Sequence, residues 1–174
     1  LYRIMLKHLT IRNYALIRLL EMNPSSHLNV ITGETGAGKS IMLGAIGLLM
    51  GNRADTKVMW NENEKCVIEG IFNIGSYRLE PFFREEDLDY ADETVLRREI
   101  SPGGKSRAFI NDTPVTLETM RRLGSRLMDI HSQHETLELG NQSFQLQLID
   151  AYAENHNIKE GYTQAWSSFQ HAKK

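Results

Sequence analysis

The chain has 174 residues, 41% of them hydrophobic, and 20 Lys and Arg against 22 Asp and Glu, for a formal net charge of −2. That length can bury one sizeable core, so one globular domain with an appendage is expected, and the charge balance excludes a uniformly basic nucleic-acid binder while leaving room for a local patch. Cys66 is the single cysteine, which excludes a disulfide framework and a cysteine-based zinc site. No apolar run approaches a membrane span and no signal peptide is visible, so the expectation is a cytoplasmic protein with no membrane partner. The opening Leu1-Tyr-Arg-Ile4 before Met5 reads as an added or mis-assigned start.

Leu6 to Asn13 alternates and reads as a strand, and Ala15 to Met22 reads as a second. Asn23-Pro24-Ser25-Ser26 turns the chain into Leu28-Asn-Val-Ile-Thr32, a short β-branched run expected to be a buried strand. Gly33-Glu34-Thr35-Gly36-Ala37-Gly38-Lys39-Ser40 follows and fits G-x-x-x-x-G-K-[ST] at every fixed position. Lys39 to Met50 carries apolar residues on a helical period and stops at Gly51. A polar loop to about Glu64 leads into a strand over Lys65–Ile74, and a short helix is expected over Tyr77–Glu86. Glu93–Ser101 and Lys105–Asn111 flank Pro102-Gly-Gly104 as a hairpin. Asn111 to Pro114 turns the chain again. Thr116 to Leu127 is an amphipathic helix with Leu117, Met120, Leu123 and Leu127 on one face, Thr116 as N-cap and Thr119 at N3. Met128–Ile130 is extended, and Ser143–Ala153 is helical. From there Ile158, Tyr162, Ala165, Phe169 and Ala172 recur at alternating spacings of four and three, the seam of a coiled coil.

The loop at 33–40 carries the chemistry. Gly33, Gly36 and Gly38 let successive backbone N–H groups turn inward on phosphate oxygens, and the following helix aims its unpaired N–H groups and dipole at the same anion. Lys39 would reach the β- and γ-phosphates, and the Ser40 hydroxyl would ligate Mg²⁺. Two strands precede this loop, whereas small GTPases and simple nucleotide kinases usually place it after their first.

Hydrolysis also needs an acidic residue at the end of an apolar strand. No run of four apolar residues ends in Asp-Glu, and no Leu-Ser-Gly-Gly stretch is present. Leu127-Met128-Asp129 is the nearest candidate, preceded by Arg126 and Ser125, which suit a buried strand poorly. A self-contained P-loop kinase or GTPase using Asp129 therefore stands as the alternative. The preferred reading is α/β, the first lobe of a split ATPase head over residues 1–153, with the start of a coiled-coil helix over 154–174.

Gly33-Glu-Thr-Gly-Ala-Gly-Lys-Ser-Ile41, Gly51-Asn-Arg-Ala-Asp55, Ser106-Arg-Ala-Phe-Ile-Asn111 and Asp129-Ile-His-Ser-Gln-His-Glu135 together resemble the SMC-like branch of the ABC ATPases, in its bacterial DNA-repair members. The resemblance spans about residues 5–153 and is more specific than the phosphate loop alone. It implies an N-terminal half-head with an antiparallel β portion, completed by a C-terminal lobe of the same protein that bears the signature motif and the Walker B acids. It further implies a homodimer with ATP and Mg²⁺ sandwiched between heads, ATP hydrolysis in the full-length protein with the isolated piece inactive, and action on DNA double-strand breaks at the nucleoid.

By position, the resemblance makes Gln133 the Q-loop glutamine, touching Mg²⁺ and the attacking water, a task an amide can perform. It sets Ile41 beside the loop residues, puts Arg53 near nucleotide and DNA, and brings Asn13, at the end of the first strand, close to nucleotide. His131, His134 and Glu135 match no metal motif and are expected to pack around the Q-loop. Between residues 97 and 126, Arg97, Arg98, Lys105, Arg107, Arg121, Arg122 and Arg126 face only three acids, so a DNA-tracking surface is expected if hairpin and helix share a face.

Overall fold

The computed structural model describes residues 5–32, 38–54, 59–128, 130 and 142–173, without the side chains of 143, 144, 147 and 156. Residues Leu1–Ile130 form one unit and His131–Lys174 a second. In the first, β1 (Leu6–Tyr14), β2 (Ile17–Met22), β3 (Cys66–Asn73), β4 (Glu93–Ile100), β5 (Ser106–Ile110) and β6 (Thr113–Val115) make one sheet in the order β2-β1-β3-β4-β5-β6. Every neighbouring pair is antiparallel.

Alternation decides which side of the sheet is covered. In β3, Cys66, Ile68, Gly70 and Phe72 point inward while Val67, Glu69, Ile71 and Asn73 are half-covered. Leu9 and Ile11 of β1, Leu96 and Ile100 of β4, and Ala108 and Ile110 of β5 join them on the buried side. The covering helices are α1 (Gly38–Leu49), which brings Ala45, Leu48 and Leu49, and α3 (Leu117–Leu127), which brings Met120, Leu123 and Leu127. The short α2 (Glu80–Glu85) adds Phe82 and Phe83. Each fully buried aliphatic or aromatic side chain of this set contributes about 1.5–3 kcal/mol.

Local chemistry sets the turns. The helix α1 ends at Gly51, whose φ of +83° is a conformation glycine adopts without strain. Thr116 caps α3 as expected, its hydroxyl accepting from the Thr119 N–H at 3.1 Å. β5 turns into β6 through Asn111 and Asp112 at φ +47° and +62°, left-handed positions these two residue types tolerate. The Asn111 side chain then accepts from the Val95 N–H at 2.9 Å, continuing the ladder past the turn. The strand β6 was not anticipated, because its three residues include Pro114 and carry too little pattern to read.

One expectation fails. Leu28–Thr32 is not a buried strand: it pairs with nothing among the described residues, and Leu28, Val30 and Ile31 are 81, 72 and 52% exposed. Composition gives the run its strand propensity, but a strand exists only against a neighbour, and the first unit supplies none at this position.

The second unit holds α4 (Gln142–Tyr152) and α5 (His156–Ala172), joined by a tight turn with Glu154 at φ +53°. Ile158, Tyr162 and Phe169 are exposed along α5. Trp166, next to Ala165 of the expected seam, stacks on Tyr162 at 6.4 Å between ring centroids and meets Phe169 at 5.7 Å.

Candidate nucleotide-binding site

The described part of the phosphate loop begins at Gly38, which is the first residue of α1. Gly38, Lys39 and Ser40 are all exposed there, and Ile41 is half-covered as the helix turns toward the sheet. No acidic residue lies in the first turn, so nothing on the helix itself opposes an anion at its positive end. A Cβ built on Gly38 would meet nothing within 4 Å among the described residues. Gly33, Glu34, Thr35, Gly36 and Ala37 lie outside the described residues, as do Asp129, His131, Gln133, His134 and Glu135.

A cavity of about 360 Å³ flanks this helix start. Leu16 and Ile17 at the β1–β2 turn, Ile31 and Thr32 before the loop, and Lys39 and Met42 of α1 line it. With Arg18 of β2 also in the lining, it combines an apolar wall with two cationic residues, Arg18 and Lys39. Close packing fixes α1 against the turn: a Cβ on Gly44 would sit 2.8 Å from the Tyr14 hydroxyl oxygen.

Asn13, the last residue but one of β1, has φ +56° and is 3% exposed. Its Nδ2 donates to the carbonyls of Asn61 and Glu64 at 2.9 Å each, and its Oδ1 accepts from the Asn61 N–H at 2.7 Å. The side chain is committed to clamping the 61–64 loop. That role was not read from the sequence, because it depends on a partner 48 residues away. Arg53 is exposed in the loop after α1.

The expected basic surface does not assemble as one face. Arg97 and Arg98 are consecutive in β4 and so point to opposite sides of the sheet, Arg98 being 1% exposed. Arg97 is held by Asp112 at 2.7 Å and stacks over Phe109. Arg122 pairs with Glu85 and Glu86, Arg121 with Glu118 and the Gly51 carbonyl, and Arg126 lies over the Phe82 ring. Counting charges along the chain overlooked Glu85 and Glu86 at the end of α2, which come from outside the counted window. One signal in β4 was legible: Leu96, Arg98 and Ile100 occupy inward positions, and a charge there is out of place.

An antiparallel sheet covered by a helix that opens on a phosphate loop is the N-terminal lobe of a P-loop ATPase head. The chain belongs to the AAA domain family, which it matches over residues 8–165. It is similar to the DNA repair protein RecN of Xylella fastidiosa (strain 9a5c), 41% identical over 167 residues, covering 95% of this chain and 30% of that one. It is also similar to the DNA repair protein RecN of Bacillus subtilis (strain 168), 40% identical over 151 residues, covering 86% and 26%. The chain thus spans about 30% of the length of the first of these relatives and aligns with their N-terminal part. Among solved structures, the Smc head domain with a coiled coil and joint from Pyrococcus yayanosii superposes with a TM-score of 0.64 at 19% identity, covering 97% of this chain and 36% of that one. The recombination mediator protein RecF, in its ATPrS structure, gives 0.53 at 17% identity, covering 66% and 29%. Both share the fold.

Proposed function

We propose that this chain is the ATP- and Mg²⁺-binding half of a head in a RecN-type DNA-repair ATPase. One observation carries the reading. Lys39 and Ser40, the last residues of the G-x-x-x-x-G-K-S loop, are exposed at the start of α1, whose first turn carries no acidic residue. Lys39 neutralises β- and γ-phosphate charge and Ser40 offers its hydroxyl to Mg²⁺, while the adjoining apolar cavity suits a nucleobase. Gln133 positions the water, and Arg53 lies on the nucleotide or DNA side. Asn13 acts at one remove, through the loop it clamps.

The acids that complete hydrolysis come from a C-terminal lobe of the same protein, and two such heads close on ATP as a homodimer. The exposed Val30-Ile31 run supports this, since it is strand sequence lacking a neighbour. The apolar stripe of α5 supports it as well, as one half of a coiled-coil seam that connects the lobes. In this reading the substrate is DNA at double-strand breaks, bound near the nucleoid, and the isolated chain does not turn over ATP.

Calorimetric titration of ATP·Mg²⁺ into the full-length protein tests it. Lys39→Ala should weaken binding at least about tenfold, the effect of removing a charge-assisted phosphate contact. Steady turnover by the 174-residue chain alone, abolished by Lys39→Ala, would overturn the split-head assignment.

A further inference from the structure

Arg121 belongs to the positive stretch between residues 97 and 126, yet its guanidinium turns to the protein's own backbone. Its Nη2 donates to the Gly51 carbonyl at 3.1 Å, and its Nη1 donates to a Glu118 carboxylate oxygen at 3.0 Å. Gly51 is where α1 stops. Across 70 residues of sequence, α3 therefore holds the end of the helix that carries Lys39. A cation at the carbonyl end of a helix also meets the negative pole of its dipole.

The stop is itself bonded. The Gly51 N–H donates to the Leu48 carbonyl at 3.2 Å and the Asn52 N–H to the Gly47 carbonyl at 3.0 Å, the closure that a left-handed glycine gives a helix. These bonds occupy carbonyls of the last turn, and the carbonyl of Gly51 goes to Arg121. Main-chain packing locks the same junction. A Cβ on Gly51 would lie 2.9 Å from both the Leu117 carbonyl oxygen and the Arg121 backbone nitrogen, and one on Gly124 would lie 3.0 Å from the Met50 Cα. Each glycine admits the main chain of the facing element, which a side chain would hold off.

Arg53 is the charged residue that leaves this lock. It follows Gly51 by two residues, and Ala54 after it packs against the core. Arg53 is exposed between these two anchored points, so its side chain reaches solvent from a defined backbone position. A guanidinium fork engages phosphate in a narrow geometry, which makes the position of its root matter.

We propose that Arg121 is a positioning residue for Arg53: it holds the Gly51 carbonyl so that the Arg53 fork meets a phosphate group, and touches no phosphate itself. The inference rests on the reading of Arg53 as lying on the nucleotide or DNA side. Phosphate is the chemistry common to both sources, the triphosphate of ATP and the backbone of DNA.

The test is a double-variant cycle in the full-length protein with two titrations, ATP·Mg²⁺ without DNA and a short DNA duplex without nucleotide. The arm that Arg53→Gln weakens, by about tenfold, names the source of the phosphate. On that arm Arg121→Met should weaken binding about as much, and should cost nothing further once residue 53 is altered. Arg121→Lys keeps the charge but gives up the two-pronged hold, so a loss of about two- to threefold is expected. A contribution from charge alone predicts full affinity in Arg121→Lys, and that result refutes the proposal. Losses that add in the double variant overturn it, as does a lowered melting temperature in Arg121→Met with both affinities unchanged. Full affinity on both arms in Arg53→Gln overturns it too, since nothing is then positioned. If Arg121→Met does not fold, Arg121→Lys takes its place in the cycle, and additivity is again the refuting result. ATP binding indifferent to Lys39→Ala would sink the nucleotide reading alone, and the DNA arm would still decide the role of Arg121.

Discussion

Asn13 and Asn61 hold each other through both halves of one amide. The Asn61 N–H donates to Oδ1 at 2.7 Å, and Nδ2 donates to the Asn61 carbonyl at 2.9 Å. Replacing Asn13 by Ala strips three hydrogen bonds from a buried position and leaves loop groups unmatched. The expected loss is about 2–3 kcal/mol of folding stability, measured by urea unfolding. A fall in nucleotide affinity with stability intact would instead assign the side chain to the ligand.

The contact between α1 and the end of β1 predicts a second effect. Gly44→Ala places a methyl 2.8 Å from the Tyr14 hydroxyl oxygen, so helix or ring must shift. Overpacking of this kind costs about 1–3 kcal/mol. Tyr14→Phe removes the offending oxygen, so the double variant should lose less stability than the two single losses added together. Strict additivity in the cycle would refute the clash.

Cys66 lies fully inside, and burial raises its thiol pKa from 9.0 to about 11. The unfolded chain releases this proton near pH 9 while the folded chain keeps it. The stabilising term is therefore complete below pH 9 and drains away as pH climbs toward 11, by at most about 3 kcal/mol. Stability measured from pH 8 to 11 should fall less steeply in Cys66→Ala once the cavity cost, constant with pH, is subtracted. Identical slopes would contradict the assignment. A thiol reagent at pH 8 should likewise modify native protein far more slowly than unfolded protein.

Val30→Asp separates the lobe proposal from a merely exposed loop. In the 174-residue chain Val30 is 72% exposed, and the change should move stability by less than about 0.5 kcal/mol. In the full-length protein a charge buried between strands should cost about 2 kcal/mol or more. Equal, small effects in both would mean that nothing packs on this run.

Elements whose evidence is local were readable from residue order alone. The inward alternation of Cys66, Ile68 and Phe72, the Thr116 cap, the stop at Gly51 and the hairpin around Pro102 all came through, because each depends on neighbours within a few residues. The helix that starts at the end of the phosphate-loop motif was legible for the same reason. What failed depended on distant partners. Leu28–Thr32 looks like a strand but lacks a neighbour, Asn13 serves a loop 48 residues away, and the basic stretch is divided by the pleat between Arg97 and Arg98 and neutralised by Glu85 and Glu86 at the end of α2.

The ring stack on α5 has a practical side. The chain carries two tryptophans, Trp60 in the first unit and Trp166 in the second, both half open to solvent. Replacing either with Phe leaves a single indole emitter, in the first unit or the second, so a pair of variants lets fluorescence follow each body separately without an attached dye. Blue-shifted emission from Trp166 alone would mark the moment another helix comes to lie along α5.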